Sequence, residues 1–352
     1  MKNSDRQNRA SKPFVKNGPV IFDISGGGKI LRGWVALIGN VNITAVVAGG
    51  VKIGAGGPVR LIDTIEIDAN PLDPRYAGGK ILDKVHPESL LEFATTRRRF
   101  YVADQLGANL GGNAAVVANY LVATYIPVYF ADPRRVRPIE TALNGDAYES
   151  IQLRVNCAAV ENCFNGANVT VDYSGLTVQW IDDRENVTGD TLTLFQENHD
   201  FIIPAANKRA LDLAMPKDGK FLDWLLFGLN TTNETLADTI LNQLVINGDS
   251  LDFSKYAEDM RQQMFDDEWW SPDNGNPANP AASATGRYFV DFTDKKLGGV
   301  IDARYVGFYF DVSNPGGANQ DTLRFFTRRI LPPAGYVAIG AGGTGNSAAK
   351  NQ

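Results

Sequence analysis

Histidine and cysteine are scarce in this sequence. Its 352 residues include two histidines, His86 and His199, and two cysteines, Cys157 and Cys163. A zinc site of the Cys/His type takes about four such ligands at close spacing, and copper or cupin-type sites take several histidines each. The sequence therefore predicts no metal centre of these kinds. Two cysteines make no disulfide scaffold, and spacing leaves open whether they pair with each other.

Long apolar runs are also missing. The first 20 residues lack the apolar run of a signal peptide. The most apolar stretch, Leu121 to Ala131, is shorter than the ~20 residues of a membrane-spanning helix and contains Pro127. We therefore expect no transmembrane segment.

Neither sign of charge dominates the chain. Lys and Arg number 34 against 40 Asp and Glu, and the net charge of −6 argues against a nucleic-acid-binding role. No regular aromatic residues accompany the arginine clusters, so we expect them to form salt bridges with carboxylates. These clusters are Arg97-Arg98-Arg99, Arg134-Arg135-Val136-Arg137 and Arg328-Arg329.

Residues 1–18 are set apart by their basic character. Five basic side chains against the single Asp5 give a net charge of +4, which leaves −10 for the remainder. Because the segment lacks an apolar stripe, the sequence predicts an arm outside the core with an anionic partner. A solubilising disordered terminus is the alternative. The basic residues are Lys2, Arg6, Arg9, Lys12 and Lys16.

Alternation of apolar and polar residues recurs along the rest of the chain. This period of two is typical of strands with one buried and one wetter face, and it favours antiparallel sandwich sheets. The best examples are Val41 to Val47, Ile151 to Cys157, Val169 to Tyr173, Ile240 to Ile246 and Val306 to Val312. The sequence therefore predicts an all-β protein.

Helical patterns are few and short. Pro87 to Ala94 and Arg137 to Asn144 each predict a turn or two, with proline at the start of one and glycine after the other. The longest is Asp252 to Phe265, in which Tyr256, Met260 and Met264 recur at every fourth residue.

The order of these elements repeats roughly in two halves. Strands, an irregular stretch with a short helix and further strands occur in residues 19–184, and a similar order follows in residues 190–338. The boundary is placed between Asp183 and Asp190, the Pro- and Gly-containing stretch 268–286 is expected to be a long loop, and 339–352 a flexible tail.

Motifs that carry chemistry are weak. Ser25-Gly26-Gly27-Gly28-Lys29 lacks P-loop spacing and predicts a tight turn between strands. The carboxylate pair Asp182/Asp183 is interpreted as surface or loop acids, and the chain has no Gly-x-Ser-x-Gly nucleophile elbow. We therefore predict that the protein is not an enzyme and takes no cofactor.

The duplicated pattern resembles the double jelly-roll major capsid proteins of tailless, internal-membrane-containing icosahedral bacteriophages, the tectivirus-like group. The resemblance covers about three quarters of the chain and lies in the order and character of its strands. It rests on residues 20–24 and 30–34, 120–129 with 149–154, 221–227 with 240–247, and 287–292 with 306–310.

The resemblance implies two tandem eight-stranded jelly-roll sandwiches and a homotrimer forming a pseudo-hexagonal capsomer in the virion shell. It also implies assembly in the host cytoplasm, contact with minor capsid or vertex proteins, and an N-terminal arm that reaches anionic lipid of the internal membrane. Trp269 and Trp270, in the long loop, are candidate anchors between subunits.

Two other functions stay open from the sequence. A metal-free jelly-roll glycan hydrolase would use carboxylates, and a carbohydrate- or receptor-binding spike-like protein would use exposed aromatics such as Trp269 and Trp270 for stacking. The oligomeric state separates these alternatives from a capsid protein.

Overall fold

A computed structural model describes most of the chain. The described ranges are 4–45, 52–53, 57–98, 117–131, 138–165, 169–203, 208–212, 218–230, 235–236, 240–248, 251–256, 259–260, 286–292, 301–302, 306–312 and 321–335. All structural statements below concern these residues.

Strands dominate the described residues, as predicted. In the first half they are β1 (Ser4–Asn8), β2 (Lys12–Pro13), β3 (Pro19–Asp23), β4 (Lys29–Ala45), β5 (Lys52–Ile53), β6 (Ile62–Pro71), β7 (Gly79–Val85), β8 (Val117–Tyr129), β9 (Leu143–Asn144), β10 (Tyr148–Cys157), β11 (Phe164–Asn165) and β12 (Val169–Glu185). In the second half they are β13 (Thr193–Ile202), β14 (Lys208–Asp212), β15 (Lys220–Asn230), β16 (Thr235–Leu236), β17 (Leu241–Gly248), β18 (Leu251–Tyr256), β19 (Arg287–Asp291), β20 (Ile301–Asp302), β21 (Val306–Val312) and β22 (Thr322–Leu331).

Helices are short, and one prediction fails. The α-helix α1 covers Pro87–Arg98, and short 3₁₀ helices cover Gly57–Leu61, Pro138–Thr141, Gly145–Ala147 and Val160–Asn162. The helix predicted over Pro87 to Ala94 is confirmed. The one predicted over Arg137 to Asn144 is confirmed only as a 3₁₀ turn at 138–141, because Leu143–Asn144 form β9 and Gly145 begins another 3₁₀ helix. The prediction of a helix from Asp252 is wrong in its first turns, because β18 occupies 251–256 and pairs with β17. Of the remainder, 259–260 are helical and 261–265 lie outside the described residues.

Three sheets contain most of the strands. The first sheet has the order β1-β12-β4-β8, with β2 also on β12 and β9 also on β4. The long sheet has the order β16-β15-β22-β13-β7-β6-β10-β3, with β19 and β20 also on β15, and the third sheet has the order β14-β21-β17-β18. The short strands β5 and β11 pair separately.

Neighbouring strands run antiparallel with one exception. β7 and β13 pair in parallel, with Leu82 opposite Gln196 and Asp83 opposite Glu197. This pair joins strands from the two halves of the chain into the long sheet. The division at 184 and 190 stays a prediction, and it falls in the connection between β12 and β13.

The main core lies between the first sheet and the β7-β6-β10-β3 part of the long sheet. Alternate residues of facing strands fill it, among them Val41 and Ile43 of β4 and Leu153 and Val155 of β10, all fully buried. These are residues that alternation placed on buried faces. Within the described ranges, no helix is both long and apolar enough to cross a membrane.

Candidate functional site

The described residues offer little for acid–base or metal chemistry. No group of three or more His, Cys, Asp or Glu side chains among them could hold a metal ion. Cys157 and Cys163 are buried and unpaired, and burial raises the pKa of Cys157 to about 11 and that of Cys163 to about 12. Both are neutral thiols packed in the core, as predicted for Cys157, and neither resembles an activated nucleophile.

Two concave surfaces of the described part can be compared with a catalytic cleft, and neither brings two carboxylates together. A cavity of about 10 Å³ lies beside Leu143 and Tyr148, enough for a water molecule at most. A shallow groove of about 380 Å³ lies where β10 ends, and Asp63 is the single carboxylate among its described lining residues. Glycoside hydrolysis takes two carboxylates across a cleft.

The N-terminal segment is part of the first sheet. β1 and β2 both pair antiparallel with β12, and Phe14 is buried in the main core. The prediction that residues 1–18 lie outside the core is therefore wrong at Phe14, and residues 4–8 and 12–13 pair with the sheet where a free arm was expected. A free strand edge offers backbone hydrogen bonds to any extended segment, so a polar strand can join a sheet without an apolar stripe.

Arg6 holds this segment to the sheet through a shared carboxylate. Asp183 accepts a hydrogen bond from Arg6 Nε at 2.9 Å and another from Arg32 Nε at 2.7 Å. Burial alone would raise the pKa of Asp183, but the two arginines outweigh it and lower that pKa below its usual value. Both guanidinium groups also lie over the ring of Trp34, at 5.2 and 5.0 Å.

The other basic residues of the segment differ in their partners. Lys16 forms an ion pair with Glu161. Lys12 donates to the carbonyl oxygen of Ile21 and lies 5.1 Å from the ring centre of Phe22. Arg9 is half-buried, and Lys2 lies outside the described residues.

The glycine-rich motif is a tight turn between β3 and β4, as predicted. Gly26, Gly27 and Gly28 have φ values of 66°, 73° and 88°, a left-handed region that favours glycine. Arg184 fills the space beneath the turn and donates to the carbonyl oxygens of Gly26 and, at 2.9 Å, Ile24. The motif therefore has a structural explanation that needs no phosphate.

The pair Asp182/Asp183 was expected to be surface or loop acids, and this expectation is wrong. Asp182 is fully buried, where it accepts hydrogen bonds from Trp180 Nε1 at 2.6 Å and Arg184 Nε at 2.7 Å. Asp183 is buried beside Arg6 and Arg32. The partners of Asp182 are local, but those of Asp183 lie far away along the chain, at separations of 177 and 151 residues, and sequence spacing does not show that either carboxylate is buried.

A contact that we call the seam joins β7 and α1 to strands β13, β15, β19 and β22. Beside the parallel β7–β13 pair, Glu92 of α1 accepts a 2.7 Å hydrogen bond from Arg287. Phe93 of α1 packs edge-to-face on Phe326 with ring centres 5.6 Å apart. Helix α1 thus connects strands from the two halves of the chain.

Two arginines of β22 lie in or next to the seam. Arg328 and Asp223 are both fully buried and form a bidentate pair at 2.9 and 2.6 Å, with the guanidinium 4.2 Å from the ring centre of Phe93. Arg329 bonds Glu197 at 2.7 Å and Asp218 at 2.9 Å. The predicted salt bridging of the Arg328-Arg329 cluster is confirmed.

Both histidines of the chain lie at the seam. His86 precedes α1, with Nδ1 3.1 Å from the carbonyl oxygen of Asp63 and Nε2 3.8 Å from Asp200 of β13. Burial, and then the charge of Arg324, lower the pKa of His86. His199, also on β13, lies 3.3 Å from Glu197.

The first sheet has an unusually apolar outer face. On β8, Val122, Thr124 and Ile126 point into the core, so Leu121 and Tyr125 point outward, 68% and 37% exposed. Register places outward residues of β4 and β12 beside them. We define the outer face as Leu121, Ala123, Tyr125, Trp34, Ile38, Asn40, Thr177, Gln179 and Ile181; Ala36 lies in the same row but is fully buried.

The other predicted site residues cannot be placed. Trp269 and Trp270 lie outside the described residues, as do Arg134, Arg135 and Arg137 and the tail 339–352. Their predicted roles stay predictions.

No family model matches this chain, and no curated protein matches it. Among solved structures, the chain has the fold of the double jelly-roll major capsid proteins, and the all-β double jelly-roll prediction is confirmed.

The matches extend over nearly whole chains. The structure titled "Crystal Structure of the STIV MCP" matches with a TM-score of 0.67 at 13% identity, over 94% of this chain and 98% of that one. The major capsid protein P2 from bacteriophage PM2 matches with a TM-score of 0.53 at 9% identity, over 93% and 98%. The Faustovirus major capsid protein matches with a TM-score of 0.53 at 10% identity, over 97% and 91%.

Proposed function

We propose that this protein is a viral major capsid protein, a structural and non-enzymatic subunit of an icosahedral shell. The observation that carries the proposal is the extent of the fold match. It covers 94% of this chain and 98% of the STIV MCP chain, so the double jelly-roll fold accounts for nearly all of the residues given. The abundance of internal ion pairs and the scarcity of candidate catalytic groups in the described part agree with this role.

The proposed assembly is a homotrimer that packs as a pseudo-hexagonal capsomer. Upright sandwiches leave large lateral surfaces, and three copies bury them by heterologous contacts around a closed ring. The trimers then meet one another and minor capsid or vertex proteins in the shell of the virion.

The test is the mass and shape of the purified full chain. Light scattering at micromolar concentration is expected to give three chain masses of 38.3 kDa, and negative-stain images are expected to show flat pseudo-hexagonal particles. A monomer in both measurements would overturn the proposed assembly.

The proposed shell encloses a membrane, and the N-terminal segment faces its anionic lipid. Arg6 and Lys16 are already paired with carboxylates of the same chain, so the attraction comes mainly from Lys2, Arg9 and Lys12. Each basic residue near an anionic surface contributes about 1 kcal/mol, and many copies in one shell add their contributions.

This part is tested with vesicles containing phosphatidylserine. The variant Lys2→Gln/Arg9→Gln/Lys12→Gln keeps Phe14 and the Arg6–Asp183 pair, and it is expected to lose salt-sensitive binding. The control Lys84→Gln/Arg154→Gln/Lys220→Gln removes the same charge elsewhere and is expected to bind like the wild type. Equal binding by both variants, or none by the wild type, would rule out the lipid contact.

A further inference from the structure

The outer face of the first sheet combines features that solvent-facing sheet surfaces lack. Leu121 is among the most exposed large apolar side chains of the described residues, and Tyr125 follows it on the same side of the strand. Half-buried Trp34, Ile38 and Ile181 continue this surface across β4 and β12. On the opposite side of the same sandwich, the solvent-facing surface of the long sheet carries carboxylates such as Glu66 and Asp68 instead.

The size of this face suits a protein contact. Four strands about 4.8 Å apart and about eight residues long make a surface on the order of 500 Å². A standard protein interface takes about 800 Å² from each partner, so this face supplies more than half of one.

Its charge points to an acidic occupant. At the β1 end of the face, Arg6 and Arg32 share the single carboxylate Asp183, and their side chains are 60% and 45% exposed. One positive charge is therefore left over. The whole chain carries −6, so a second copy of it brings the complementary charge.

An anionic bilayer would share that charge but fits the face less well. The face contains the polar side chains Thr177 and Gln179, and it ends at β8, whose outer edge pairs with no strand among the described residues. Hydrocarbon does not satisfy backbone groups at a sheet edge, whereas a protein neighbour can.

From these observations we infer that the outer face of the first sheet is a contact surface for a second copy of this chain, with Leu121 and Tyr125 on its edge strand β8 and Arg6 and Arg32 toward its β1 end. This inference rests on the proposed trimer and identifies a surface that forms it.

The test compares Leu121 with Leu72, which is 67% exposed and lies in the connection after β6. Leu121→Asp places a charge in the contact and is expected to weaken trimer association at least tenfold in a dilution series followed by light scattering. Leu72→Asp is expected to associate like the wild type. Trimers of equal stability in both variants would overturn the inference and leave the proposed trimer standing, whereas a monomeric wild type would refute the trimer itself.

Cysteine labelling gives a second measurement that does not depend on a disruptive charge. Both native cysteines are buried, so Leu121→Cys and Leu72→Cys each add one exposed thiol to a chain that otherwise lacks one in its described part. In assembled trimers, a maleimide is expected to label the thiol of the Leu121→Cys variant more slowly than the thiol of the Leu72→Cys variant. Equal labelling would contradict the contact, and protection of the 121 thiol only when phosphatidylserine vesicles are added would assign the face to the membrane instead.

Discussion

The seam and the N-terminal edge use the same arginine–carboxylate chemistry in opposite environments. At the seam, Arg328 and Asp223 are fully removed from water. At the edge, Arg6 and Arg32 share Asp183 while their own side chains remain 60% and 45% exposed. Charges in a buried pair depend entirely on each other, because no water replaces a lost partner. Exposed charges lose little when a partner leaves.

We therefore expect the seam to stay closed in the folded protein and the N-terminal edge to open locally. The seam packs β7 and α1 against strands of the second half of the chain, so we expect its loss to weaken the contact between the two halves. The edge strand β1 is held by backbone hydrogen bonds and a solvent-screened ion pair, so it can detach at small cost.

The largest expected effect comes from breaking the seam at its buried pair. Asp223→Ala leaves the Arg328 guanidinium buried without its carboxylate, and we expect it to lower the free energy of unfolding by about 3–5 kcal/mol. Urea denaturation measures this. The matched control Asp223→Leu/Arg328→Met removes both charges at similar volume and is expected to recover most of the loss. A cost below about 1 kcal/mol for Asp223→Ala would remove the distinction between seam and edge.

An intermediate effect is expected from acidifying the seam. The pKa of His86 is lowered from its ordinary value of 6.5 by burial and by Arg324, so the unfolded chain binds a proton at a pH where the folded protein does not. Stability is therefore fully present above about pH 6.5 and falls as the pH decreases below it. Thermal unfolding at about pH 7.5 and 5.5 is expected to show a loss of a few degrees in the wild type and a smaller loss in His86→Gln. An identical loss in both proteins would contradict this assignment.

The smallest effect is expected at the edge. Arg6→Gln leaves Arg32 on Asp183, so we expect global stability to change by no more than about 1 kcal/mol. Amide hydrogen exchange in β1 is expected to accelerate while exchange in β4 stays unchanged, since only the outer strand loosens. If Arg6→Gln lowered the free energy of unfolding as much as Asp223→Ala does, the N-terminal edge would contribute to global stability as the seam does, and the distinction between them would fail.

The strands that sequence predicted best are those with one wet and one buried face. In residues 41–44 of β4 and 151–157 of β10 the alternation of side chains follows the alternation of burial, so period two is visible without the structure. The helix predicted from Asp252 fails for a related reason. A spacing of four residues, as between Tyr256 and Met260, fits one face of a helix and also one face of a strand, because four is a multiple of two.

The seam could not be predicted in this way. Its contacts join residues far apart along the chain, as Glu92 and Arg287 do at a separation of 195 residues. The sequence around Glu92 or around Arg287 contains no local signature of the distant partner. The N-terminal strand was missed for a different reason: its place in the sheet depends on the free edge of β12, not on its own composition.

The position of β22 has a consequence for synthesis on the ribosome. The strands of the first sheet, together with β3, β6, β7 and β10, come from residues 4–185, so that sandwich can close early. β22 instead lies between β13 and β15, which leave the ribosome about one hundred residues before it. Until residues 322–331 emerge, β13 and β15 lack the strand that lies between them in the folded sheet, so the native strand order has a gap there. A chaperone that assists this protein during translation is therefore expected to be needed longest by β13 and β15. Slow translation of the codons before Thr322 would lengthen the interval in which nascent chains can aggregate.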